Sequence, residues 1–132
     1  MILIAKLFVG LVAILYMGLA IWCSLQPTVT SQKVGFEMIG GSGRSEFMTV
    51  YGGLEFGIAL LLLATLFRSE TVIYGLWAAV LLHGSLVAFR TISFIIYSDI
   101  GSFTYRLAIG EWVIFLVGAA LLFFTVNRQE IG

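Results

Sequence analysis

A chain of 132 residues with 61% hydrophobic side chains, 11% charged ones and a mean hydropathy of +1.09 has too little polar surface for a soluble domain. Seven basic and seven acidic residues give a formal charge of zero, which argues against nucleic acid as a partner. The single cysteine, Cys23, allows neither an intrachain disulfide nor a cysteine-based metal site.

A bilayer core of about 30 Å needs about 20 apolar residues in a helix. Four stretches qualify, at about 2–25, 46–67, 71–97 and 103–126. Backbone groups in lipid must be satisfied within their own segment, so these predict helices. The expected fold is all-α: one domain, an integral membrane antiparallel four-helix bundle.

The first stretch carries only Lys6 and ends at Gln26-Pro27. Gly18-Leu19-Ala20 loosely resembles a signal-peptide cleavage site, but the apolar run continues through Ile21 and Trp22, so the segment is expected to be retained. A long link follows, with Gly40-Gly41-Ser42-Gly43 read as a flexible run and the whole read as loop. The second stretch contains Glu55 and turns at Arg68-Ser69-Glu70 into the third, which contains His83 and Arg90. The fourth contains Arg106 and Glu111. Lys6, Arg68 and Arg128 on one side, against Lys33 and Arg44 on the other with Arg106 just inside its span, favour both termini in the cytoplasm.

Charges inside the spans are the informative residues, because each costs about 2.5–3.5 kcal/mol to insert. Glu55 lies eight residues past Phe47, Arg90 eight before Ser98, and Glu111 eight past Phe103. Each is therefore about 12 Å from the non-cytoplasmic end. A guanidinium has enough donors for two carboxylates, so Arg90 is expected to hold both acids in one cluster. Tyr51, Ser93 and His83 fall on the same helical faces and complete the candidate pocket. Gly53 and Gly57 form a GxxxG expected to admit a close neighbouring helix. Arg106, Glu46 and Asp99 are read as interfacial charges.

Residues 45–57, Ser-Glu-Phe-Met-Thr-Val-Tyr-Gly-Gly-Leu-Glu-Phe-Gly, resemble the core motif of a family of small bacterial four-span membrane proteins of unknown function. In overall shape that family is similar to the DoxX-like proteins and the sterol-isomerase-like pocket proteins. The resemblance extends to Arg90 in the third span, Asp99 after it and Glu111 in the fourth, with Phe89 standing where the family usually has glycine. It implies the fold, a bacterial inner membrane and the grouping of Tyr51, Glu55, Arg90 and Glu111, and no activity.

No nucleophile–base pair, phosphate loop or metal-spaced His/Cys set is visible, and no cofactor or metal is expected. The polar cluster can be a structural staple or the lining of a ligand site. The reading that follows is a non-enzymatic membrane protein that binds a lipid-like ligand in its core or serves as accessory subunit of a membrane complex. Membrane lipids, a second copy or a larger assembly are the expected partners. The alternatives are a dimeric proton-coupled transporter and an intramembrane enzyme using a carboxyl as acid or base.

Overall fold

The computed structural model describes residues 1–129. The extreme carboxy terminus, on which the orientation expectation partly rests, lies outside them. Among the described residues every regular element is helical. Four helices are long and apolar enough to cross a membrane: α1 (Ile2–Leu25), α3 (Gly40–Ala64), α4 (Val72–Ile96) and α5 (Ser102–Gln129). A short α2 (Pro27–Lys33) separates α1 from α3. The protein is an integral membrane four-helix bundle.

The link between α1 and α3 differs from the loop expected. Pro27 opens α2 at its first position, where its missing N–H leaves no hydrogen bond unmade. The glycine run is the first turn of α3, entered through a Gly43 N–H to Ile39 carbonyl bond of 3.1 Å. Gly43 lies against the Met38 backbone, where a Cβ would come within 3.3 Å, so packing overrides its poor helix propensity. The second span consequently starts at Gly40 and ends at Ala64, earlier at both ends than hydropathy suggested.

Within α3, Met48–Leu54 is π-helical. Its wider turns hydrogen-bond from residue i to i+5, a geometry rare in proteins and often found at functional sites. Gly52 in this stretch packs on α1, where a Cβ would collide with Ser24 Oγ. By contrast, Gly53 and Gly57 face open space. The close helix approach therefore occurs at Gly52, one residue away from the expected GxxxG.

α1 is the hub, packing along α3 and against α4, while α5 packs chiefly along α4. At the end of the bundle that holds Met1, the helices are tightly joined. Val9, Val12, Leu62, Leu76 and Leu122 are buried together there. Gly118 admits Phe8 of α1 and Val80 of α4, both within 3.3 Å of where its Cβ would be. α3 and α4 meet at their connecting turn, where Gly75 leaves room for Thr65 and the Thr71 hydroxyl donates to the Thr65 carbonyl at 2.8 Å. Beyond the turn they diverge. On the outside, Leu3, Leu7, Leu11 and Ile14 make an exposed apolar stripe along α1, which acyl chains cover without cost.

Candidate functional site

The half of the bundle away from Met1 is hollow. A cavity of about 540 Å³ lies among all four long helices. Lys33 and Thr30 of α2 and the following Val34 contribute to its wall at the loop-bearing end. The buried side chains of the opposite half close its floor, making it a pouch with one end.

Arg90 and Glu111 form a bidentate ion pair across α4 and α5. Arg90 Nε donates to Glu111 Oε2 at 3.0 Å, and Nη2 donates to Oε1 at 2.6 Å. Parallel donors matched to both carboxylate oxygens are the strong form of this interaction. The pair is formed because α4 and α5 pack closely along this length.

Glu55 stands outside that pair, which differs from the three-member cluster expected. α3 diverges from α4, and Glu55 does not reach the Arg90 guanidinium. Glu55 lines the cavity, and its Oε2 is buried without a hydrogen-bond partner. Such an atom carries a desolvation cost that nothing within the chain offsets.

Tyr51 shares the Glu55 wall and is held by stacking on Phe47, with ring centroids 4.6 Å apart, and by an edge contact with Phe36. His83 is buried on the far wall. Its Nδ1–H donates to the Ala79 carbonyl at 2.8 Å, leaving Nε2 to accept from the Tyr16 hydroxyl at 3.5 Å. Thus Tyr51, Glu55, His83, Arg90 and Glu111 do line one cavity. Ser93 does not: its hydroxyl donates to the Arg90 carbonyl at 2.9 Å, which is backbone capping within its own helix. Phe89 is 76% exposed and leaves Arg90 uncrowded.

Three further residues belong to the site. Tyr16 of α1 enters through its contact with His83, and nothing in an otherwise apolar span singles out one tyrosine. Lys33 and Arg106 line the cavity at its loop-bearing end, the latter despite reading as an ordinary interfacial charge. The Lys33 ammonium lies 5.8 Å from the Trp22 ring centroid and 5.5 Å from that of Phe103, bridging α1 and α5.

Among the described residues no group of three His, Cys, Asp or Glu side chains is placed to hold a metal ion. The wall is mostly apolar, with one buried acid lacking a partner, one internally neutralised ion pair and two cations at the rim. Chemically this suits an amphiphilic organic molecule. No protein-family model matches the chain, and neither a curated protein nor a solved structure does.

Proposed function

We propose that this protein is a binding protein for a lipid-like molecule, which it holds in the pouch between its four helices. The observation that carries this reading is the partnerless Glu55 Oε2 inside a cavity of about 540 Å³. Small-molecule sites are concave, mostly apolar and roughly 300–1,000 Å³, with a few convergent polar groups. A buried carboxylate oxygen without a donor fits a site completed by its ligand, since a purely structural acid would have been paired as Glu111 is. The closed floor speaks against a transport path through this conformation. Catalysis finds no support in the wall, where the Arg90–Glu111 pair occupies one acid.

Both termini are proposed to lie in the cytoplasm on the distribution of basic residues in the loops, and a bacterial inner membrane is proposed on the resemblance of residues 45–57 to a bacterial family. Kinship with the uncharacterised four-span family is likewise proposed, on residues 45–57. The test is a density map of the protein purified from its membrane into nanodiscs. A non-protein density in contact with Glu55 is the expected result. A cavity holding only ordered water, with Glu55 hydrogen-bonded to it, would overturn the reading.

A further inference from the structure

A second concavity joins the first. The divergence of α3 and α4 leaves an apolar groove of about 320 Å³ between them, lined by Leu61, Leu62, Ala78 and Leu81, with Ser85 at its edge. Ile58 and Leu82 belong to the walls of both groove and cavity, so the two spaces adjoin across these side chains. The groove opens to the membrane, since Leu61 and Leu81 are exposed. Its one polar side chain is self-satisfied, the Ser85 hydroxyl donating to the Leu81 carbonyl at 2.9 Å. Nothing in the groove addresses a polar group, whereas everything in it suits a hydrocarbon chain. Toward Met1 the groove is blocked by the Thr65–Gly75 contact, so its open side is the one toward lipid.

The cavity's charges are ordered along the same route. At the rim are Lys33 and Arg106, neither of them ion-paired among the described residues. Deeper lies Glu55, with its buried oxygen awaiting a donor. Deeper still come Ile58 and Leu82 and the groove.

We propose that the α3–α4 groove is the tail site and lateral doorway of the cavity, and that the occupant is a single-chain anionic amphiphile bearing a hydroxyl. Its acidic head lies beside Lys33 and Arg106, its hydroxyl donates to Glu55, and its chain passes Ile58 and Leu82 into the groove. This assignment rests on the ligand-binding reading and adds the ligand's class and its path. A two-chain lipid is disfavoured because the groove is a single slot between two helices that share a turn.

The test uses the full-length protein in detergent with lysophosphatidylglycerol carrying a diazirine at the chain end. Photolabel is expected on Leu61, Ala78 or Leu81, and unlabelled lysophosphatidylglycerol should compete it away. Filling the slot with Ser85→Phe should weaken binding about tenfold, a loss of roughly 1.4 kcal/mol. Neutral monoacylglycerol of the same chain length should bind less tightly, and Lys33→Gln with Arg106→Gln should abolish that preference. Saturable binding with the label elsewhere in the cavity would overturn the doorway while leaving the ligand-binding reading intact. Equal binding of the neutral and anionic probes would overturn the head-group assignment. Absence of saturable binding by either probe would overturn both. The wild-type label map needs no variant, so a poorly folding Ser85→Phe leaves the test decisive.

Discussion

Arg90 on α4 and Glu111 on α5 meet through two donors on two carboxylate oxygens, while Glu55 on α3 lies outside the pair. Removing one partner of a half-buried ion pair strands the other. Arg90→Met and Glu111→Gln should each destabilise the fold, by about 1–3 kcal/mol, below the cost for a fully buried pair. In a double-mutant cycle the two should couple by about 2 kcal/mol. The Arg90–Glu55 cycle should be additive within about 0.5 kcal/mol. Thermal or denaturant melts in detergent decide between them. Equal coupling in both cycles would restore the three-member cluster.

Glycine substitutions test where helices touch. Gly118→Ala forces a methyl against Phe8 and Val80 from two other helices, and should cost about 1–3 kcal/mol as overpacking. Gly53→Ala meets open space and should be neutral to slightly stabilising, by less than about 1 kcal/mol. Melting temperatures of the two variants should therefore move apart. A large loss at Gly53 would instead reveal a helix contact from a second chain.

The Tyr16–His83 contact is long at 3.5 Å, and the His83–Ala79 bond is short at 2.8 Å. Tyr16→Phe should accordingly cost less than about 1 kcal/mol, since little hydrogen-bond energy is lost at that separation. His83→Leu should cost more, because it removes the short bond from the buried imidazole to the Ala79 carbonyl. Equilibrium unfolding of both variants checks the order. A Tyr16→Phe loss larger than that of His83→Leu would mean the hydroxyl has a closer partner.

Orientation can be read by labelling. Cys23 is the only cysteine and is buried, so introduced cysteines report against a low background. Gly41→Cys and Gly101→Cys lie at the loop-bearing end and Glu70→Cys at the opposite one, all in exposed positions. With cytoplasmic termini, a membrane-impermeant maleimide should label the first two in intact cells and the third only after permeabilisation. The reverse pattern would invert the topology and turn the pouch toward the cytoplasm.

Four spans were legible because hydropathy over about 20 residues is a one-dimensional property of the chain. Counting converts rise per residue into height only from a known helix end, and the start of α3 at Gly40 moves the origin from which Glu55 was counted. What counting does not give is azimuth. Whether Arg90 reaches Glu55 or Glu111 depends on which helices lie side by side, and α4 lies along α5 and splays from α3. The GxxxG expectation failed through azimuth as well, since the spacing of Gly53 and Gly57 does not say whether their shared face meets a neighbour, and both face open space. Tyr16 was illegible because its partner His83 is 67 residues away, and only tertiary packing brings them together.

The π-helical stretch also bears on how the chain can change by insertion and deletion. An α-helix turns by about 100° per residue, and its wider relative absorbs roughly one residue beyond what the same number of α turns would hold. Loss of a single codon between 48 and 54 would let α3 close into an ordinary helix while Gly40–Phe47 and Glu55–Ala64 kept their facings. Deletion of one residue anywhere else in that span would rotate one half against the other and swing Glu55 away from the pouch or Leu62 out of the core. The segment is thus a place where the length of the span can drift without loss of its pattern, and related chains should differ there by one residue more often than at any other point in α3.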